Sequence, residues 1–332
     1  MSVALRMVPV ADGSDFMGSL RNPPGWNNVY GIRTSFGRIA AGGSEVFIDQ
    51  GGVNGPIART AQDLALLLRT MSGYSDAAPL SIRQDPAPLA DVTDTRLRGR
   101  KVAWLGDLGG YLPMEPEVLK VTSAALKTFS KIGMSVASLD GLPTTSGFDV
   151  RKDLWSTWLT YRHWLAGMSI KGIYDDPALK AAMKPEGIYE VEGLIGDVDG
   201  GPISAVDVFE NSEKRTALYE TFRTMFETYD YVVLPTAQLF PFDASTHWPK
   251  TVNGVAMSSY HRWMEVTTLG TLINAPTLAM PAGFSSKGLP IGLQVIGRNH
   301  DDFSLMDLAH AWETHGHQAS DRPPALLTAT KR

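Results

Sequence analysis

The sequence of 332 residues contains no cysteine, no excess of basic charge and no long apolar run. Without cysteine, thiol catalysis, disulfide bonds and cysteine-bound zinc are excluded. The formal net charge of -5 gives no excess of positive charge that would attract nucleic acid. No apolar stretch approaches the roughly 18–20 residues that a membrane-spanning helix needs, and residues 1–10 are too short for a signal peptide. We therefore expect a cytoplasmic protein that binds neither nucleic acid nor membranes.

Several common catalytic and nucleotide-binding motifs are also missing. No Gly-x-Ser-x-Gly pentad marks the nucleophile of an α/β hydrolase, and no glycine-rich motif marks a nucleotide loop. The seven histidines are scattered, and their spacing does not match the His-Glu-x-x-His pattern of zinc enzymes. The sequence therefore favours neither a metal site nor a cofactor. A serine nucleophile activated by a group other than histidine stays open, since serine–lysine pairs are a known variant.

Strand and helix patterns alternate along the chain. Residues 101–105 and 134–139 predict strands, and the apolar spacing of residues 116–132 predicts a helix between them, so the three form a parallel βαβ unit. Residues 231–234 predict a strand that is buried on both faces. The sequence therefore predicts an α/β fold with a mixed, largely parallel central sheet that is covered by helices on both faces.

The chain is expected to form a single domain over residues 1–332. Within it, residues 75–98 are rich in Pro, Asp, Ala and Arg and predict a surface connection. Residues 318–332 are polar and predict a loose tail. A helix is expected to begin after Thr60, because Thr60 and Asp63 have the spacing of a capping box.

Residues 12–23, with the sequence DGSDFMGSLRNP, carry the clearest candidate chemistry. Their small residues let backbone N–H groups approach a bound group. A serine held in such a loop beside exposed N–H groups would suit an acyl-transfer enzyme. Gly, Ser and Asp also populate ordinary turns for backbone reasons, and composition by itself favours the turn. Composition also does not distinguish the two serines of this segment, Ser14 and Ser19, as candidate nucleophiles.

Further segments give residues 13–23 a recognisable context. In chain order they are residues 30–38 (YGIRTSFGR), 55–64 (GPIARTAQDL), 229–236 (YDYVVLPT), 276–281 (PTLAMP) and 288–297 (GLPIGLQVIG). Together with GSDFMGSLRNP, these segments resemble the motifs of the amidase signature family from residue 1 to about residue 315. The set is far more specific than any one of its members.

The resemblance implies a carboxylic-amide hydrolase that needs no metal or organic cofactor. Matching motif to motif, it places Ser19 at the nucleophile position, and Ser14 off it. Phe16, Met17 and Gly18 take the positions whose backbone N–H groups form the oxyanion hole. It also implies that two further residues, Asp15 and Arg21, brace this loop.

This sequence departs from the family pattern in two ways. Met17 stands where many members have glycine, so its side chain must find space beside the site. The family's catalytic lysine and cis-serine lie upstream of the nucleophile segment, and no counterpart of either is present in residues 1–332. We therefore expect an amino-terminally truncated amidase that is inactive by itself. A non-catalytic fragment or pseudoenzyme that needs another chain, and a glutamine amidotransferase of the A type, stay open as alternatives.

The expected substrate is a small hydrophobic or aryl amide. The aromatic residues that could line an apolar pocket are Trp155, Trp158, Trp164, Phe240, Phe242 and Trp248. Packing in a helix interior explains the first three equally well. A truncated chain would also expose apolar surface, so the expected partners are a homo-oligomer or a complementing amino-terminal segment.

Overall fold

The computed structural model describes residues 1–196, 201–316 and 322–328, which belong to two units. The first unit combines Met1–Leu142 with Met225–Arg332, and the second is Pro143–Thr224. The predicted loose tail at 318–332 falls mostly outside the described residues and stays a prediction there.

An eight-stranded sheet runs through the first unit. Ten strands lie in the described residues, eight of them in this sheet: β1 (Val10–Asp15), β2 (Tyr30–Arg33), β3 (Val53–Ala58), β4 (Lys101–Trp104), β5 (Ser135–Ser138), β6 (Tyr231–Pro235), β7 (Thr251–Val252), β8 (Val255–Ala256), β9 (Thr277–Phe284) and β10 (Pro290–Ile296). Their order across the sheet is β1-β3-β2-β9-β10-β6-β4-β5, and β7 pairs with β8 separately. All five residues of β6 are buried, as predicted.

The predicted mixed sheet is confirmed, but it is less parallel than expected. Within the described residues, the parallel pairs are β4 with β5 and β4 with β6. The other neighbours in the large sheet pair in antiparallel fashion. The reason is visible between β9 and β10, where a tight turn at Gly288 reverses the chain without a crossover helix.

Twelve α-helices are present in the described residues. They are α1 (Asn22–Trp26), α2 (Ala61–Met71), α3 (Pro116–Ala125), α4 (Lys127–Ile132), α5 (Val150–Arg162), α6 (Met168–Asp175), α7 (Pro177–Lys180), α8 (Pro185–Ile195), α9 (Ala205–Thr228), α10 (Thr268–Leu272), α11 (Asp302–His315) and α12 (Ala325–Thr328). In this part of the chain, none combines the length and the apolar character needed to cross a membrane.

Helices α2, α4 and α11 pack with the sheet in the main core. The Thr60 side chain accepts a hydrogen bond from the Asp63 N–H and caps α2, which confirms the predicted helix start. The helix predicted over 116–132 is instead two helices, α3 and α4, because bonds of the shorter 3₁₀ type interrupt the pattern at Leu126. The Trp312 indole of α11 donates to the Pro281 carbonyl at 2.8 Å.

Strand β1 corrects the prediction for residues 12–15, whose Gly, Ser and Asp content favoured a loop. These residues pair with β3 in antiparallel register, with Gly13 opposite Gly55 and Asp15 opposite Val53. Pairing with a strand distant in sequence outweighs the local preference for a turn. The real turn therefore begins only after Asp15.

The expected surface connection at 75–98 contains one short 3₁₀ helix, Ala87–Ala90. Leu89 and Leu97 within it are fully buried in the main core. The segment therefore contributes core residues to the first unit as well as connecting its elements.

The second unit is helical in its described residues. Trp158 and Tyr161 on α5 are buried, whereas Trp155 and Trp164 are partly exposed. Core packing therefore accounts for Trp158 and Tyr161, and for only part of the Trp155 and Trp164 side chains. A π-helical turn, His163–Gly167, follows α5.

Candidate active site

A six-residue turn, residues 16–21, connects β1 to α1 and carries Ser19. The turn is closed by the Arg21 and Asn22 N–H groups, which donate to the Gly18 carbonyl at 2.8 and 2.7 Å. Gly18 has a φ of 106°, a conformation that favours glycine. Ser19 is exposed although Gly18 and Leu20 on either side are buried. The sequence therefore folds locally so that one serine projects from an otherwise buried turn.

The Asp15 carboxylate holds this turn from inside. Its Oδ1 accepts the Gly18 N–H at 2.8 Å, and its Oδ2 accepts the Leu20 N–H at 3.0 Å. Arg21 completes the arrangement with two donors, Nη2 to Oδ1 at 2.8 Å and Nε to Oδ2 at 2.9 Å. One carboxylate thus fixes the backbone on both sides of Ser19.

Two arginines neutralise Asp15 in a fully buried setting. Asp15, Arg21 and Arg33 are each 0% exposed, and Arg33 Nη1 lies 3.5 Å from Asp15 Oδ1 while also donating to the Asp15 carbonyl. Burial by itself would raise the pKa of the Asp15 carboxyl. The charges of Arg21 and Arg33, with the hydrogen bonds from Arg21 and Gly18, outweigh it and hold that pKa well below its usual range. Asp15 is therefore ionised at any pH near neutrality.

The opposite side of the turn is anchored by a 3₁₀ helix, Arg262–Thr267, and by α10, which follows it. The Thr267 hydroxyl donates to the Met17 carbonyl at 2.9 Å. Arg21 Nη1 donates to the Thr267 carbonyl, and Arg21 Nη2 donates to the Thr271 hydroxyl at 2.9 Å. Arg21 therefore connects Asp15 to elements at the other end of the chain.

Gln294 on β10 reinforces the same anchor. Its Oε1 accepts from Arg21 Nη1 at 3.2 Å, while its Nε2 donates to the Val266 and Pro235 carbonyls, each at 2.9 Å. It is fully buried. This one amide side chain therefore joins β6, β10, the 3₁₀ helix and the turn.

The three residues predicted to supply oxyanion N–H groups differ in the structure. The Gly18 N–H already donates to Asp15, so in this arrangement it does not point at a substrate. The Met17 N–H has no hydrogen-bond partner within the described part of the chain, and the Met17 side chain is 4% exposed. The Phe16 ring lies against Gly51, where a Cβ would collide with it. A buried carboxylate takes the Gly18 N–H in this structure, and the oxyanion role of the three residues stays a prediction.

Ser14, the rival serine, lies inside β1 opposite Asn54. Successive side chains of a strand point to opposite faces, so Ser14 and the buried Asp15 face different sides of the sheet. Ser14 is thus outside the turn that Asp15 shapes.

Sequence reasoning did not find Arg33, Thr267, Thr271 or Gln294. Arg33 and Gln294 lie in motif segments 30–38 and 288–297, and that position is the only signal that could have singled them out. Thr267 and Thr271 carry no local signal, because their partners Met17 and Arg21 lie about 250 residues away in the sequence.

Replacing Gly18 with alanine tests how tightly the turn is packed. A Cβ there would collide with Asn22 Oδ1 and lie 2.9 Å from Thr267 Cγ2, besides the unfavourable φ. We expect a loss of about 2–3 kcal/mol in the free energy of unfolding, measured by denaturant titration.

Two glycines serve as controls for that variant. Gly110 has a φ of 74° with open space around it, so Gly110→Ala isolates the backbone strain at about 1–2 kcal/mol. Gly52 has open space and no positive φ, so Gly52→Ala should stay within about 0.5 kcal/mol. A Gly18→Ala variant no worse than Gly110→Ala would contradict the packing argument.

The fold is that of the amidase signature enzymes. A solved bacterial aryl acylamidase of that group superposes on 97% of this chain with a TM-score of 0.82 at 24% sequence identity, and the matched part is 66% of that structure. The sequence profile of the family named Amidase matches residues 1–306, so the chain belongs to the amidase family.

Curated relatives extend the comparison. The chain is 27% identical over 329 residues to an acylamidase from Rhodococcus erythropolis, covering 98% of this chain and 65% of the relative. It is 30% identical over 348 residues to the A-type subunit of glutamyl-tRNA(Gln) amidotransferase from Nitrosococcus oceani, covering 98% of this chain and 67% of the relative. The chain thus spans about two thirds of the length of these relatives.

Proposed function

We propose that this protein contributes the nucleophile and part of the oxyanion site of an amide hydrolase that works through an acyl-enzyme. One observation carries the proposal. The buried Asp15 carboxylate binds the N–H groups on both sides of Ser19, and it leaves the Ser19 side chain exposed. Membership of the amidase family supports the reaction type.

The reaction follows from this geometry. The Ser19 oxygen attacks the amide carbonyl carbon, and a base accepts its proton. The Met17 N–H, buried but without a partner in the described residues, is the donor that the turn leaves for the oxyanion; one such donor typically contributes about 3–4 kcal/mol. The base returns its proton to the leaving nitrogen, the carbon–nitrogen bond breaks, and water then releases the carboxylic acid.

We expect residues 1–332 by themselves to turn over amides slowly. Within the described ranges, no hydrogen bond joins the Ser19 hydroxyl to a lysine or histidine, and a triad enzyme without its base retains only residual catalysis. The measurement is hydrolysis of a simple aryl amide at enzyme concentrations high enough to detect slow turnover. Fast turnover that Ser19→Ala abolishes would contradict this expectation, while any turnover that Ser19→Ala leaves intact would contradict the proposed nucleophile.

A small hydrophobic or aryl amide is the proposed substrate. An aromatic cluster adjoins the elements that hold the turn: Trp26 of α1 stacks on Trp263 of the 3₁₀ helix at 5.3 Å, and Phe242 meets both rings edge-on. The similarity to the curated acylamidase supports an amide substrate. Of the predicted pocket residues, Phe240 is buried, and Phe242 and Trp248 are partly buried against this cluster.

A second candidate is a glutamine amidotransferase of the A type, which the 30% identity to such a protein favours. The net charge of -5 gives no general attraction for tRNA. Release of ammonia from glutamine, stimulated by an added partner protein, would support this candidate. Hydrolysis of aryl amides with no response to glutamine would support the first.

A further inference from the structure

The 3₁₀ helix that anchors the turn contains a fully buried carboxyl, Glu265, that the proposed reaction does not use. The Tyr111 hydroxyl donates to Glu265 Oε1 at 2.6 Å. Arg262 Nε lies 3.2 Å from Glu265 Oε2, and no hydrogen bond reaches Oε2 within the described residues. Burying a carboxyl whose oxygens are not fully hydrogen-bonded lowers the stability of the folded protein, so such a group calls for an explanation.

Glu265 is linked to the nucleophile turn through a short, fully bonded stretch of backbone. The Val266 N–H donates to Gln238 Oε1 at 3.2 Å, and the Val266 carbonyl accepts from Gln294. Thr267, the next residue, donates to the Met17 carbonyl and accepts from Arg21. A shift of the Glu265 side chain therefore has a direct path to Met17, since packed and hydrogen-bonded segments move together.

The charge on Glu265 changes in the neutral range. Burial raises the pKa of Glu265 to about 7, although the Arg262 charge and the Tyr111 hydrogen bond act to lower it. Burial and the nearby Glu265 raise the pKa of Tyr111, so its hydroxyl stays a donor throughout. Two of the groups that face Glu265 are Tyr111, from the segment after β4, and Arg262, from the same 3₁₀ helix as Glu265. The Asp15–Arg21 pair does not face Glu265 directly; Arg21 contacts the Thr267 carbonyl, two residues further along the chain.

We propose that Glu265 is a positioning residue for the nucleophile turn, and that its ionisation changes how residues 262–267 hold Met17. The consequence for catalysis rests on the proposed role of Ser19. The ionised carboxylate is stabilised by the Tyr111 hydrogen bond and by the Arg262 charge, whereas the neutral acid can also donate a hydrogen bond. The two states therefore place the helix and the Met17 N–H differently.

The test is hydrogen exchange of the full chain, read by mass spectrometry on peptides covering residues 16–22 between pH 5.5 and pH 8.5. After correction for intrinsic exchange, the wild type should show a change in protection centred near pH 7, and Glu265→Gln should show none. Tyr111→Phe should move the midpoint upward by about 1–2 pH units, because a hydrogen bond to the charged form is lost. Glu210→Gln, an exposed acid on α9, is the matched control and should behave as the wild type.

Retention of the midpoint in Glu265→Gln would overturn the proposal, and so would a midpoint that Tyr111→Phe leaves in place. If Glu265→Gln fails to fold, Tyr111→Phe and Arg262→Gln still decide, since both should move the midpoint upward.

A second measurement separates this proposal from the proposed function. The rate at which an organophosphonate probe labels Ser19 should show an inflection near pH 7 that Glu265→Gln lacks. Labelling of a residue other than Ser19, together with a clear exchange midpoint, would reject Ser19 as nucleophile and leave the positioning intact. Labelling whose pH dependence is identical in wild type and Glu265→Gln would reject the positioning.

Discussion

The Asp15→Asn variant should lose about 3–5 kcal/mol of the free energy of unfolding, the cost expected when one partner of a buried ion pair is removed. An amide retains one acceptor oxygen in place of two, and it carries no charge. Arg21 and Arg33, both fully buried, would then lose the negative charge of Asp15, and the N–H of Gly18 or of Leu20 would lose its acceptor. A loss of this size is a large fraction of the stability of a typical domain.

Denaturant titration measures this loss, and Asp12→Asn is its control. Asp12 lies on the same strand but is exposed, so its substitution should change stability by no more than about 0.5 kcal/mol. Equal effects of the two variants would show that the Asp15 network contributes little.

Acid provides an independent measure of the same network. The pKa of Asp15 is lowered by folding, so its contribution is fully present above the unfolded value of about 4. That contribution falls as the pH drops from about 4 toward the folded value. In Asp15→Asn this part of the acid dependence should be missing. An unchanged slope below pH 4 would contradict the assignment of the lowered pKa to Asp15.

The Ser19→Ala variant should abolish covalent labelling by an organophosphonate and any amide hydrolysis that proceeds through an acyl-enzyme. Loss of the nucleophile removes the acyl-enzyme route altogether; in a comparable serine enzyme with its complete triad that loss costs about 10⁶ in rate, and less remains to be lost where the base is missing. Stability should stay within about 0.5 kcal/mol of the wild type, because the Ser19 side chain is exposed and makes no hydrogen bond within the described residues.

Ser14→Ala is the matched control, since Ser14 is an exposed serine five positions earlier. Its labelling and hydrolysis should equal those of the wild type. Labelling that survives in Ser19→Ala and disappears in Ser14→Ala would reverse the assignment. Peptide mass spectrometry after labelling identifies the modified serine directly.

The sequence predicted those elements whose signals are local. The Thr60 cap fixes the start of α2, and the continuous apolar run of β6 marks a strand buried on both faces. Strand β1 was mispredicted, because its residues prefer turns and become a strand only through pairing with β3. The number of parallel strand pairs was overestimated for a similar reason, because a strand can pair with another that is distant in the sequence.

The candidate site divides in the same way. The resemblance singled out residues 15–21, and the structure places the Asp15 and Arg21 side chains against the turn. Which N–H group Asp15 would take could not be predicted, because it depends on the φ of Gly18. The contacts of Thr267 and Gln294 with the site could not be predicted from the sequence, because their partner Arg21 lies 246 and 273 positions away.

Those long separations set an order of events during synthesis of the chain. Arg21 leaves the ribosome before its partners Thr267 and Gln294, which follow 246 and 273 residues later. Until then, the bonds that Asp15 makes with Gly18, Leu20 and Arg21 lack the anchor that Thr267 and Gln294 give to Arg21. Contacts between distant segments are slow to form, and domains fold as their residues emerge. The nucleophile turn should therefore become fully ordered only after Thr267 and Gln294 have been made on the ribosome, and slowly in refolding.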